Sequence, residues 1–355
     1  MLSLYLSAAA AFVATVALAF LLRPVARSLD FVDRPGGRKL HAGEVPVVGG
    51  IAMFVGLALG LSILPDTVRP AASFAATAFG FVCLGLLDDR LNLSSKLRLL
   101  VQVGAVLVMA VLGDLGVHYV GAPFALGTTI FVPGVALFVT VMLVVGAVNA
   151  LNMVDGIDGL AGSLGLVGLV FVGGVAFVGA NVEVLSVAVV LGAAVAGFLV
   201  FNLPLGINGS LRIFMGDAGS MLLGFSLAWM MVALSQEPST PVAPVTLLWF
   251  AAVPIFDMVS TAAGRLRRGV SPMSADNTHF HHRLMRRGFS TRRALVALVG
   301  LAVFWAAVGV SLDAVLRAPE WVSLVAFLVA GGVTSRALTG RREASAASEP
   351  RVDVT

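Results

Sequence analysis

The sequence predicts an all-α integral membrane protein, and three observations carry that prediction. First, 59% of the 355 residues are apolar and the 39 glycines raise that share to about 70%, against roughly 45–50% in soluble domains. Second, charged residues make up 12% and mean hydropathy is +1.00, which leaves too little polar surface for a water-soluble globule. Third, apolar runs near the ~20 residues that cross a bilayer recur along the whole chain. The single cysteine, Cys83, excludes a disulfide scaffold, a thiolate metal cage and a CxxC redox site.

Eleven runs qualify as spans: 2–22, 46–64, 71–87, 98–113, 130–148, 160–180, 182–201, 218–235, 242–260, 293–312 and 320–338. The first is followed, not preceded, by arginines (Arg23, Arg27), the reverse of a cleaved signal, so it reads as a retained anchor. The third closes on Asp88 and Asp89. Between the fourth and fifth, 114–129 is long enough for a small hairpin. A tight turn joins the fifth to the sixth, FMGDAGS opens the eighth, and Asp257 lies near the end of the ninth. Residues 1–338 then make a single polytopic domain, and the small-residue polar tail 339–355 is expected to be disordered.

Orientation follows from the basic residues. With the N-terminus outside, 21 of the 23 lysines and arginines fall in loops on the cytoplasmic side or in the tail, leaving Arg69 and Arg317 outside. The C-terminus is then cytoplasmic. Thirteen of the nineteen acids share that side, as does every histidine except His118. The chemistry-bearing loops are 23–45, 88–97, 149–160, 202–217 and 261–292.

A lone carboxylate at a span end is often no more than a solvated interfacial group. Asp88–Asp89 admits that reading equally, as a pair capping a loop beside Arg90. Asp155 and Asp158 resist it, because two acids three apart, each followed by glycine, face the same way if helical. The HFHHRLMRRG run would suit a polybasic loop on anionic lipid, yet arginine alone would serve there. Zinc is disfavoured by the adjacent arginines. Acids with asparagines suit a hard cation such as Mg²⁺ that shares its shell with phosphates, while histidines and arginines suit phosphate oxygens directly. Together they describe phosphoryl transfer between two anionic substrates, one water-soluble and one lipid.

Five segments, VPVVGGIAM (45–53), LGLLDDR (84–90), NALNMVDGIDGLAG (149–162), FMGDAGS (214–220) and SPMSADNTHFHHRL (271–284), closely resemble the polyprenyl-phosphate N-acetylhexosamine-1-phosphate transferases. That family, glycosyltransferase family 4, includes the peptidoglycan-precursor translocase. The HFHH form looks like the branch that transfers N-acetylglucosamine 1-phosphate; the translocase branch typically has three consecutive histidines, and Phe280 interrupts them here.

The resemblance implies a reaction of a UDP-N-acetylhexosamine with undecaprenyl phosphate that releases UMP, with Mg²⁺ or Mn²⁺, at the cytoplasmic face of the inner (plasma) membrane. This would be the first membrane step of cell-envelope polysaccharide synthesis. It implies Asp217 and Asn152 as metal ligands, Asp88 and Asp89 near the lipid phosphate, and Asp155 and Asp158 in catalysis or nucleotide-sugar placement. His279, His281, His282 and Arg283 would meet the diphosphate, with Asn149 and Lys39 as further substrate contacts. A phosphate monoester is already mostly a dianion at neutral pH, its second pKa being about 6. Positioning is therefore favoured over a base role for Asp88 and Asp89, with direct in-line attack rather than a covalent aspartyl intermediate. Substrates and membrane lipids are the expected partners; a homodimer is left open, and no nucleic acid is expected. The rival readings are a translocase-type transferase and, from another class, a transporter, which would place ionisable residues near the bilayer midplane.

Overall fold

The computed structural model describes residues 1–34, 43–68, 70, 72–124, 129–204, 211–272 and 277–346. Its first half comprises α1 (Leu2–Ser28), α2 (Gly49–Ile63), α3 (Ala72–Leu91), α4 (Ser95–Leu112), α5 (Pro133–Val154), α6 (Leu160–Val178) and α7 (Val182–Asn202). The second half comprises α8 (Gly216–Gln236), the short α9 (Pro244–Leu247), α10 (Ala252–Arg267), α11 (Phe280–Arg286), α12 (Thr291–Val310) and α13 (Glu320–Ala346). The strands β1 (Val32–Asp33) and β2 (Val45–Pro46) pair antiparallel, Val32 opposite Pro46. The protein is thus an all-α membrane protein, as the composition requires.

Ten helices among the described residues are long and apolar enough to cross a bilayer, where eleven spans are expected. The difference is α2. Its expected run begins at 46, but Val45 and Pro46 are taken by the strand pair, which leaves a helix of 15 residues. At 1.5 Å per residue that is about 22 Å, short of the ~30 Å hydrocarbon core. The ninth run also departs from a simple helix. A 3-10 turn, Leu248–Ala251, separates α9 from α10, and Pro254, which has no N–H to donate, falls in the first turn of α10 where none is needed. From there α10 continues to Arg267, beyond the expected end at 260. The last helix likewise runs to Ala346, so helix replaces the disorder expected from 339; residues 347–355 lie outside the described residues. In the 114–129 stretch, Tyr119 bridges Ile130 antiparallel, and Gln236 bonds both the N–H and the carbonyl of Tyr119.

The centre of the bundle is α8, whose span is 83% buried against 17% for α4. Small residues at its start permit this. A Cβ on Gly50 of α2 would collide with the backbone at Ala218–Gly219, and one on Gly85 of α3 would collide with the backbone at Asp217–Ala218. Further along, Phe225 stacks between Phe74 and Phe81 of α3 at centroid distances of 5.7 and 5.0 Å. At the C-terminus of α1, the carbonyls of Leu29 and Asp30 accept from Arg90 at 3.3 and 3.1 Å, which ties α3 to the first helix.

This packing makes a direct prediction. Gly50→Ala forces two backbones apart and lowers stability by about 1–3 kcal/mol, read as a lower thermal midpoint in detergent. Gly104→Ala, whose Cβ would meet nothing within 4 Å, does not lower the midpoint, because alanine is the better helix former.

Candidate active site

The first amides of a helix have no partner within it, and at a buried helix start something else must accept from them. At α8 the acceptor is Asp89, from the end of α3: its Oδ1 accepts from the Asp217 N–H at 2.9 Å and its Oδ2 from the Ala218 N–H at 3.4 Å. Gly216 enters the helix at φ +71, and a Cβ there would lie 2.6 Å from Asp89 Oδ2. The segment before α2 completes the joint. Phe214 N–H donates to the Pro46 carbonyl at 2.9 Å, while the Gly49 and Gly50 amides donate to Phe214 and Met215 at 2.9 and 3.0 Å. VPVVGG, DD and FMGDAG therefore form one backbone junction.

The other acids gather around it. Asp88 is buried; its carboxylate accepts from Leu93 N–H at 2.9 Å and pairs with Arg98 at 2.8 Å. Asn152, at the end of α5, donates its amide to Asp217 Oδ1 at 2.6 Å and to Ser220 Oγ at 3.0 Å. Asp158 pairs with Arg212 at 2.5 Å, and that guanidinium also lies 4.9 Å from the centre of the Phe214 ring. The turn carrying Asp155 and Asp158 is fixed at Gly159 (φ +77), whose N–H donates to Asn202 at 2.7 Å. Asn149 lies one turn deeper and gives its amide to Gln102 and to the Val145 carbonyl, both at 2.8 Å. Lys39 and Asp276 lie outside the described residues.

The histidine motif forms the facing wall. Asp257 of α10 accepts from Phe280 N–H at 2.8 Å and meets His279 Nδ1 at 2.9 Å. The His279 and His281 rings lie parallel with centroids 5.9 Å apart, and His282 sits 4.1 Å from His281. His281 is 1% exposed, and neither ring nitrogen has a hydrogen-bond partner among the described residues. Burial, then the neighbouring His282 and His279, push it down to about 3, so it is a neutral imidazole. Gly156 of the acidic turn packs on this ring, and a Cβ there would collide with it. Arg283 faces elsewhere: it donates to the Thr278 carbonyl, Ser260 and Thr339, joining α11 to α10 and α13.

Sequence comparison shows what this junction belongs to. Residues 71–235 match glycosyl transferase family 4. An undecaprenyl-phosphate alpha-N-acetylglucosaminyl 1-phosphate transferase of Escherichia coli K12 is 37% identical over 90% of this chain and 86% of its own length. Relatives with the same name from Salmonella typhimurium and Haemophilus influenzae are 36% and 32% identical, over 90% and 93% of this chain. The chain belongs to glycosyl transferase family 4. The family match contains LGLLDDR, NALNMVDGIDGLAG and FMGDAGS, three of the segments that meet at α8.

Family membership raises the question of a cation. No three His, Cys, Asp or Glu among the described residues converge closely enough to enclose one. Mg²⁺ does not need such a cage, since it commonly takes one or two carboxylates and fills its shell with water and substrate phosphates. The donors fit that habit. Asp88 and Asp158 have arginine partners, whereas no cation among the described residues pairs with Asp89, Asp155 or Asp217. Asp89 is occupied by backbone amides, so Asp217, with Asn152 beside it, and Asp155 are the oxygen donors that remain.

Four residues that complete the site were not among the candidates: Arg98, Arg212, Ser220 and Asp257. Ser220 closes the FMGDAGS motif, and Asp257 stands out as an acid in an apolar run. The two arginines look like ordinary loop cations, and nothing in the sequence marks their partners.

Asp155 gives the site a testable electrostatic signature. Crowding by the surrounding protein, then the charges of Asp89 and Asp158, push its carboxyl up to about 7, while part of the side chain stays exposed. A raised acid pKa stabilises the fold below the unfolded value of 3.8, and that contribution is lost as pH rises through about 7. Asp155→Asn should therefore melt no lower than wild type at pH 8 without ligands, and wild type should gain on the variant as pH falls to 5. A variant clearly less stable at pH 8 would contradict the crowding.

Proposed function

We propose that the protein transfers N-acetylglucosamine 1-phosphate from UDP-N-acetylglucosamine to undecaprenyl phosphate and releases UMP. One observation carries the reading: the described parts of all five motif segments meet at one end of the bundle, around the start of α8, in a chain whose relatives bear that activity in their names. The loops at that end hold most of the lysines and arginines, which supports a cytoplasmic site in the inner membrane, with the N-terminus outside. The nucleotide sugar then arrives from water and the prenyl phosphate from the bilayer.

In this reading a lipid phosphate oxygen attacks the sugar-bearing phosphorus in line, and UMP leaves. Asp217 and Asn152 would hold Mg²⁺ (or Mn²⁺), which when bound offsets the negative charge of two phosphate groups brought together. Asp88 positions: one of its oxygens accepts from Leu93 N–H and the other pairs with Arg98. Asp89 holds the helix start, so the α8 amides stay fixed while the phosphates react. His279 and His281, with His282 beside them, line the wall opposite the acids, and the unpartnered nitrogens of His281 await a ligand's hydrogen bonds. Asp158, held by Arg212, and Asp155 flank the sugar nucleotide.

The test is UMP release by purified protein given Mg²⁺, undecaprenyl phosphate and UDP-N-acetylglucosamine. Wild type should turn over only with the lipid present, and EDTA should stop it. Asp217→Asn should lower the rate by about 100-fold or more. Turnover only with another UDP-aminosugar would replace the donor, and silence with every nucleotide sugar would overturn the proposal.

A further inference from the structure

Asp257 belongs to none of the five motif segments, yet it is the best-enclosed acid at the site. It stands on α10 with 1% of its surface exposed, beside the buried Val253, Pro254 and Phe256. A buried carboxylate is costly unless its lone pairs are filled, and here both oxygens are engaged by the histidine motif. Oδ1 accepts from the Phe280 N–H at 2.8 Å, and Oδ2 lies 2.9 Å from His279 Nδ1. A backbone N–H can only donate, so the first contact fixes which way the carboxylate works. At the second, one proton lies between a carboxylate and an imidazole. A carboxylate only accepts, and a bare Nδ1 would set two lone pairs against each other, so the proton belongs on Nδ1.

The rest of the motif is held so that this contact keeps its geometry. One turn along α10, Ser260 accepts from Arg283 at 3.0 Å, and Thr339 of α13 accepts from the same nitrogen at 2.7 Å. α10 thus grips α11 at two points, and the His279 ring cannot rotate without breaking the first.

We propose that Asp257 is a positioning residue for the transfer reaction: it holds His279 in the Nδ1-protonated form, so that Nε2 is the atom offered to the sugar diphosphate. This rests on the transferase reading above. With Nδ1 committed, Nε2 on the opposite side of the ring either accepts a hydrogen bond or, once protonated, pairs with a phosphate oxygen while Asp257 balances the imidazolium.

Asp257→Asn separates orientation from packing, because the amide has nearly the carboxylate's shape but offers one acceptor and one donor group. Keeping the Phe280 bond turns its NH₂ towards Nδ1, and His279 must then carry its proton on Nε2. The experiment is ¹⁵N NMR of histidine-labelled protein in detergent, with the His279 signals identified by their absence from His279→Ala. Wild type should show Nδ1 protonated and Asp257→Asn should show Nε2 protonated. In the UMP-release assay the variant's kcat should fall on the order of 100-fold, with KM for UDP-N-acetylglucosamine changed far less. A wild-type His279 protonated on Nε2 alone, an unchanged tautomer in the variant, or a flipped tautomer with wild-type kcat would each overturn the proposal. Should Asp257→Asn fail to fold, the wild-type spectrum decides alone. The spectrum needs no turnover, so the absence of UMP release in wild type would count against the transferase reading and not against the tautomer.

Discussion

The site depends on how the buried start of α8 is satisfied. Its first amides face an acid from another helix, Asp89, and the backbone just before them pairs with the chain that leads into α2. Hydrogen bonds to a charged acceptor contribute about 1.5–3 kcal/mol each, and leaving such donors unmet in the interior costs a comparable amount. Asp89 is therefore part of the frame. Because it is fixed, Asp217 is fixed one residue into α8, Asn152 is drawn onto it from α5, and the acidic turn after α5 comes to rest beside both.

This frame divides acids that look alike in sequence. Asp88, Asp89 and Asp158 have their charge answered by protein, through Arg98, two backbone amides and Arg212. Asp155 and Asp217 are left to be answered by something else. On the opposite wall the histidines show a similar division. His279 is held by Asp257, while His281 is buried with both nitrogens open. An acidic side short of positive charge faces a neutral imidazole short of hydrogen bonds. The proposed cation carrying phosphate groups would meet both shortages at once, which neither a lipid-held basic loop nor a simple structural cap would do.

Much of this was legible in the sequence. The helices, their order and the gathering of acids and histidines at one end follow from hydropathy and charge, because a bilayer leaves few other places for them. The short α2 was not legible, since hydropathy alone does not show that Val45 and Pro46 are needed by a strand. The reach of α13 to Ala346 was hidden because small polar residues read as disorder although their backbone can continue a helix. Nothing in the DGIDG turn announces that Gly156 makes room for the His281 ring. Arg283 stood in the dense run of donors and is turned into helix packing. Contacts such as Asp257–His279 and Asp158–Arg212 span 22 and 54 positions, and no local pattern announces them.

In the proposed reading, the start of α8 and the acidic turn beside it would hold a divalent cation together with the nucleotide sugar. The most direct measurement is a Mn²⁺ titration followed by electron paramagnetic resonance, on wild type and Asp217→Asn, with and without UDP-N-acetylglucosamine. Wild type should bind one Mn²⁺ per chain, more tightly when the nucleotide sugar is present, and the variant should lose it. Equal binding by wild type and Asp217→Asn, or binding indifferent to the nucleotide sugar, would contradict it.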